Sequence, residues 1–204
     1  MQDEGIALYR RFLEGDAGGL EELISLYQRG LFRFIYGYVL DEGLAEDVMQ
    51  EVFVRIYCKR SFKEREGASF KTYLYKIARN TALNAVKKRK RKREVSLEGL
   101  TENAESGKDP LSERAQEYLY GESADEKIER AERARSLHTA IGKLNENYRE
   151  VLLLRYFEDA SPEEIANVTG RKIKQVYNLL TRGKLALKEE LKKIGFKGYR
   201  DEDE

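Results

Sequence analysis

Ser161-Pro162-Glu163-Glu164-Ile165-Ala166-Asn167-Val168-Thr169-Gly170-Arg171-Lys172-Ile173-Lys174-Gln175-Val176 is the stretch on which the fold turns. Its first four residues set a serine N-cap, a proline at the first helical position and a glutamate at the third. That is a capping box, and it predicts a helix beginning at Pro162. Two helices cross steeply through a short turn only when the first offers a small residue at the contact and the turn accepts positive φ. Ala166 and Gly170 supply these. The second helix then turns Ile173, Val176 and Leu180 inward and leaves Lys172, Lys174, Gln175, Asn178, Thr181 and Arg182 largely outside. Such a helix fits a DNA major groove, where Gln and Asn pair with adenine and Arg and Lys with guanine. An ordinary αα-hairpin with a solvated basic face would share the periodicity. The capping box, the Ala and Gly spacing and the acid-free run from Arg171 to Lys188 together favour DNA.

Outward from this motif the helical pattern continues in both directions. The last helix extends to about Ile194, with Gly195 as a left-handed terminator. Upstream, Ile128, Ala131, Leu137, Ile141 and Leu144 share a stripe, and Tyr148, Val151, Leu152 and Tyr156 follow Asn145 as a candidate cap. Between about Arg93 and Glu122 the periodicity fails. Gly99, Gly107, Asp109, Pro110, Ser112 and Gly121 punctuate an acid-rich stretch that reads as a linker, with at most a short helix around Arg114 to Tyr120.

Before the linker, Leu20, Leu23, Ile24, Tyr27, Leu31, Phe34, Ile35 and Tyr38 form one stripe over about six turns. Asp41, Glu42 and Gly43 break it, and Leu44, Val48, Val52, Phe53 and Ile56 start another. Ser61 to Gly67 is charged and aperiodic, hence a loop. Ser69 is a plausible cap for a third long helix through Phe70, Leu74, Ile77, Ala78, Leu83 and Val86. The expected class is therefore all-α: two small helical domains, residues 1–93 and 125–196, joined by a flexible acidic linker at 94–124 and followed by an acidic tail at 197–204.

Charge sharpens this division. Residues 70–93 hold 10 basic and no acidic side chains, and residues 135–200 hold 14 basic and 8 acidic, while 94–134 hold 5 basic and 12 acidic. Two cationic blocks flank an acidic one, although the total is only +1. This is the distribution expected when two surfaces meet a polyanion.

Several function classes lack their residues. No run approaches the roughly 18 apolar residues of a bilayer span, and Asp3 and Glu4 stand where a signal peptide would be basic. The lone Cys58 has no internal partner, which suits a reducing compartment and a cytoplasmic location; it reads as a small buried apolar residue. His138, the single histidine, reads as a surface or boundary residue. With neither a glycine-rich phosphate loop nor a metal-ligand cluster, the chain is expected to be no enzyme and to need no metal or other cofactor.

Three further stretches carry a resemblance. Leu44-Ala45-Glu46-Asp47-Val48-Met49-Gln50-Glu51-Val52-Phe53 resembles the signature of sigma region two, and Phe70-Lys71-Thr72-Tyr73-Leu74-Tyr75-Lys76-Ile77-Ala78-Arg79-Asn80 resembles the promoter-reading helix after it. Leu144 to Phe157 looks like the start of sigma region four and runs into the helix-turn-helix. The order matches bacterial RNA polymerase sigma factors of the extracytoplasmic-function (ECF) class. The resemblance implies a DNA-binding specificity subunit whose Asp47, Gln50 and Glu51 grip a basic coiled coil on the largest subunit of core polymerase, by charge-assisted hydrogen bonds. It implies that Tyr73, Lys76, Arg79 and Asn80 read and hold open the minus-ten promoter element, with the Ser61 to Gly67 loop as pocket for a flipped base. Lys87 and Lys88, in the run that ends at Arg93, would follow the duplex backbone, although a solvated tail would also suit that run.

The resemblance further implies that Arg171, Lys172, Lys174, Gln175, Asn178, Thr181 and Arg182 meet the minus-thirty-five element, that the linker threads the RNA channel, and that an anti-sigma factor is a possible partner. Tyr73 replaces a usual tryptophan. Arg171, Lys174, Gln175 and Tyr177 depart from the usual recognition helix, so its base preference is not inherited. The competing reading is a stand-alone helix-turn-helix regulator with an N-terminal dimerisation or sensing domain, which would bind a palindrome without polymerase.

Overall fold

The structure, a computed structural model, describes residues 3–60, 62, 69–97, 115, 117–118, 136–137 and 139–196, the last five residues of 69–97 as backbone only. His138, the acidic tail and nearly all of the Ser61 to Gly67 loop lie outside these. The helices are α1 (Glu4–Leu13), α2 (Ala17–Val39), α3 (Glu42–Lys59), α4 (Phe70–Leu97), α5 (Glu146–Phe157), α6 (Pro162–Thr169) and α7 (Ile173–Lys193). No strand occurs among the described residues, and the all-α expectation holds.

Short polar side chains set the helix starts. Leu44 N donates to Asp41 Oδ1 at 2.9 Å, Tyr148 N to Asn145 Oδ1 at 3.0 Å and Gly18 N to Asp16 Oδ1 at 2.9 Å. Each satisfies a first-turn amide that has no partner within its own helix. Asp3 serves two helices: Ile6 N donates to Oδ1 at 3.3 Å, and Phe70 N donates to Oδ2 at 3.0 Å. Ser69 adds a 3.4 Å contact from Thr72 N, so the cap inferred for α4 is present and shared with a residue 67 positions away. Leu40, at φ 52°, ends α2 and lets Asp41 begin α3.

Helices α1 to α4 enclose the first part of the core. The α2 stripe delivers Leu23, Leu31, Phe34 and Ile35 with no exposed surface. Val48, Val52 and Ile56 of α3 and Phe70, Leu74 and Ala78 of α4 close on it. Cys58 is exposed, contrary to the buried position expected for it. The buried stripe of α3 steps through Ala45, Val48, Val52 and Ile56, and two residues past Ile56 the helix has turned to solvent.

Helix α5 is buried on opposite sides. Val151, Leu152, Leu153 and Leu154 are all at or below 1% exposure. Leu152 meets Gly183 of α7, whereas Leu153 lies against Gly37 of α2, where an added Cβ would stand 2.4 Å from Leu153 Cδ1. Four consecutive apolar residues span a full helical turn, so this stretch of α5 is covered on every side. The second half therefore packs on the first, through α5 on α2 and α6 on α4, an arrangement that the reading of two domains on a tether did not anticipate. Within the linker, Ala115 and Tyr118 are buried; the Tyr118 ring lies 5.2 Å from that of Phe32, and its hydroxyl donates to Gln28 Oε1 at 3.2 Å.

Candidate nucleic-acid interface

The helix-turn-helix forms as expected except at Ile173, which is expected to face inward but stands exposed at the first position of α7. Glu164 N donates to Ser161 Oγ at 3.1 Å and Ser161 N to Glu164 Oε2 at 2.8 Å, which completes the capping box. Gly170 takes φ 72°, and its N–H closes on Ala166 O at 2.8 Å. Ile165, Val168 and Val176 seal the contact between α6 and α7. Lys172, Lys174, Gln175, Asn178, Thr181 and Arg182 are all exposed. Two of these side chains already have local partners: Gln175 Oε1 accepts from Lys172 N at 3.0 Å, and Thr181 Oγ1 donates to Tyr177 O at 3.0 Å. Bidentate pairing of Gln175 with adenine therefore requires it to release the cap of α7.

On α4, Lys76, Asn80, Lys87 and Lys88 are exposed. Tyr73 is half-buried, with ring contacts of 5.1 Å to Phe62 and 6.0 Å to Phe70. It belongs to an aromatic cluster that also holds Tyr9, so one face braces the core. Asp47, Gln50 and Glu51 stand in solvent on α3. Glu51 accepts from Arg55 at 2.5 Å one turn on, and Arg89 of α4 pairs with Asp41 at 3.0 Å. Asp47 and Glu51 face Lys88, Arg89 and Lys92 across an open groove between α3 and α4.

Two of the residues inferred to contact DNA have partners inside the protein. Arg79 of α4 and Arg171, in the turn before α7, both reach Glu150 of α5, each in a short ion pair. The Glu150 side chain is 3% exposed, and Tyr38 of α2 donates to its Oε1 at 2.5 Å. Arg171 also donates to Asn147 Oδ1 at 2.7 Å. Burial opposes the charge of Arg79, yet the hydrogen bond and charge of Glu150 outweigh it and hold that pKa above its ordinary value. Burial, then the adjoining carboxylate, pushes the Tyr38 phenol well up.

A second buried carboxylate, Glu158, accepts a short hydrogen bond from Tyr75. Lys71 Nζ stands 3.6 Å from Oε2 and Arg33 3.8 Å from Oε1, and Lys71 also donates to Glu158 O at 2.6 Å. Desolvation raises the Glu158 pKa against the opposing pull of Tyr75, Lys71 and Arg33. Sequence reading missed both glutamates, because each resembles a solvated surface acid. Two signals were available. Four consecutive apolar residues, Val151 to Leu154, cannot share one face of a helix. Gly30 and Gly37 sit inside α2 at a cost of about 1 kcal/mol each relative to Ala, which suggests close approach; a Cβ at Gly30 would lie 2.8 Å from Glu158 Oε2.

Among the described residues no group of His, Cys, Asp and Glu is placed to hold a metal ion, and no helix is long and apolar enough to cross a membrane. The chain matches the family model for sigma-70 region 2 over residues 23–92 and the model for sigma-70 region 4 over residues 134–187. It is 31% identical over 200 residues to the RNA polymerase sigma-H factor of Pseudomonas aeruginosa, covering 95% of this chain and 96% of that one. The ECF RNA polymerase sigma factor SigW of Bacillus subtilis is 25% identical over 182 residues, 89% of this chain and 93% of its own. In fold, the chain is similar to CnrH as solved in complex with the cytosolic domain of CnrY, with a TM-score of 0.62 at 19% identity over 94% of this chain and 99% of that one. A TM-score of 0.62 also relates it to the sigma factor RpoE from Bartonella quintana, solved with the anti-sigma factor NepR, at 22% identity over 84% of this chain and 96% of that one. With both conserved regions matched in order and a relative aligned from end to end, the chain belongs to the sigma-70 family of RNA polymerase sigma factors, in its extracytoplasmic-function class.

Proposed function

We propose that this chain initiates transcription by docking on core RNA polymerase through Asp47, Gln50 and Glu51 and addressing promoter DNA through two separate helices. Tyr73, Lys76, Arg79, Asn80, Lys87 and Lys88 of α4 engage and open the minus-ten element. Arg171, Lys172, Lys174, Gln175, Asn178, Thr181 and Arg182 engage the minus-thirty-five element. In this reading residues 1–93 form the polymerase and minus-ten unit, 94–124 the linker, 125–196 the minus-thirty-five unit and 197–204 an acidic tail. An anti-sigma factor is a further expected partner.

The observation that carries this reading is spatial. Helix α3 holds three polar side chains of the matched motif in solvent, while α4 and α7 present cationic surfaces of their own. An acidic face suits the basic coiled coil of polymerase, and cationic helices suit phosphates and base edges. Reversing Asp47→Lys and Glu51→Lys together should weaken association with core polymerase by at least about tenfold, measured by gel filtration and titration, with helicity unchanged. Unaltered core affinity would refute the docking face. Lys76→Ala with Asn80→Ala should reduce promoter opening, followed by permanganate reactivity of unpaired thymines, while core affinity is kept. A dimer that binds a palindrome strongly and ignores core enzyme would instead identify a stand-alone regulator.

A further inference from the structure

Helix α4 is basic on two faces that look in different directions. Successive residues of a helix turn by about 100°, so Lys76, Asn80 and Lys87 share one side. Arg89 and Lys92 lie more than about 100° round from them, on the wall of the groove that α4 forms with α3. Lys88 falls between the two faces. The opposite wall supplies Asp41, Asp47 and Glu51, so three carboxylates meet three cations, Lys88, Arg89 and Lys92, around one groove. Such a groove gives DNA phosphates no net attraction, and its acidic wall repels them. We propose that it is a slot for a helix of core polymerase that carries both signs of charge: Asp47 and Glu51 take its basic side chains, and Arg89 and Lys92 take its acidic ones. This rests on the reading of Asp47 and Glu51 as the docking face, and it adds α4 to that face.

Length, charge order and floor all suit a helix. The 3.0 Å pair between Asp41 and Arg89 ties the start of α3 to the later turns of α4, so the two walls run antiparallel. Lys92 therefore lies toward the start of α3, and Glu51 lies further along the groove. From Asp41 to Glu51 the wall is about 15 Å long at 1.5 Å per residue, the length of two to three turns of an occupant. Its two poles are offset along that length, which matches acidic and basic side chains one to two turns apart on one helix, as the flanks of a coiled coil carry them. The floor is apolar, with Val48 buried and Leu44 and Ala85 half-buried. Thr81 also lines the groove at 2% exposure, and its Oγ1 has no hydrogen-bond partner among the described residues. Buried polar groups are ordinarily satisfied, so this hydroxyl is left for a polar side chain of the occupant.

The slot is also accessible. It lies apart from the seam where α5 rests on α2 and α6 on α4, and none of its lining residues belongs to the second half of the chain. Lys92 and Asp47 are exposed and form no ion pair among the described residues. Arg89 and Asp41 are 39% and 37% exposed, and an ion pair so open to water is weak enough to exchange with an incoming carboxylate. Asp41 keeps its second oxygen on Leu44 N, so α3 stays capped when Arg89 turns to the occupant.

The test uses the full chain and two variants that act differently. Arg89→Gln with Lys92→Gln removes the cationic pole, and Ala85→Phe fills the floor without altering charge. Neither touches Asp47, Glu51 or a proposed DNA contact. The double variant should weaken association with core polymerase about tenfold, and Ala85→Phe by at least as much, read by titration and gel filtration at unchanged helicity. For the free chains on a mixed-sequence duplex, the slope of log affinity against log salt should stay at its wild-type value. If Ala85→Phe fails to fold, the double variant decides alone. Core affinity kept by either folded variant overturns the slot. In that event the docking face on α3 stands or falls separately, on whether Asp47→Lys with Glu51→Lys loses core affinity. A shallower salt slope in the double variant makes Arg89 and Lys92 duplex contacts and overturns the assignment as well. So does a free chain that runs as a dimer and is split by Ala85→Phe, since a second copy then fills the groove.

Discussion

Helices α4 and α7 both present basic surfaces, but α4 lies far deeper in the molecule. It buries Phe70, Leu74, Tyr75, Ala78, Thr81 and Ala82, with α2 and α3 on one side and α6 on another. By contrast, α7 buries Val176, Leu180, Gly183 and Leu191 along 21 residues, half-buries Leu179, Ala186 and Leu187, and leaves most of the rest exposed. The first helix is thus a core element that also carries an exposed basic face, and the second is a mostly exposed basic helix held by few buried residues. A substitution on α4 risks the fold and the function together, whereas α7, apart from Gln175 at its cap, can change its outer residues with little structural consequence. That difference gives a physical reason why the recognition helix can depart from its family pattern at Lys174, Gln175 and Tyr177, all of them exposed.

The contrast is most easily broken by stability measurements. Leu74→Ala, at a fully buried position of α4, should lower unfolding free energy by about 2–5 kcal/mol. Leu185→Ala, 62% exposed on α7, should change it by no more than about 0.5 kcal/mol. Urea denaturation of the two variants checks this, and comparable losses would remove the distinction. Next in size is base discrimination. Asn178→Ala should relax preference at one position of the minus-thirty-five element by about 1–3 kcal/mol, read from holoenzyme binding to single-base promoter variants. Gln175→Ala should do the same and also weaken the start of α7, since its side chain accepts from Lys172 N.

A smaller effect separates position from sequence. Lys87→Gln with Lys88→Gln should reduce the slope of log affinity against log salt by about 2 and leave base preference unaltered. A change in preference would show that the end of α4 reads bases.

The smallest expected effect is a pH dependence at the seam. Burial raises the Glu158 pKa in the folded state, so the folded chain holds that proton where the unfolded chain has released it. Its stability contribution therefore declines as pH rises from the ordinary glutamate range through the raised value, the reverse of a salt-bridged acid with a depressed pKa. The difference in urea midpoint between wild type and Glu158→Gln should follow that direction. A difference that grows with pH in favour of wild type would mean that Lys71 and Arg33 outweigh desolvation.

The sequence alone determined the helices, their caps and the motif that joins α6 to α7. Asn145, Ser161 and Gly170 act on amides and carbonyls within four residues of themselves, and local hydrogen bonding at that range is written directly in residue order. It also determined the two cationic blocks, which need only counting. Tertiary structure decided what faces what. Tyr38 and Glu150 are 112 residues apart and Arg79 and Glu150 are 71 apart, so no local pattern marks Glu150 as buried. Its environment comes from α2, α4 and the turn before α7 arriving at one point: Tyr38 and Arg79 reach it because α5 rests on the first half, and Arg171 because α5 packs beside α7.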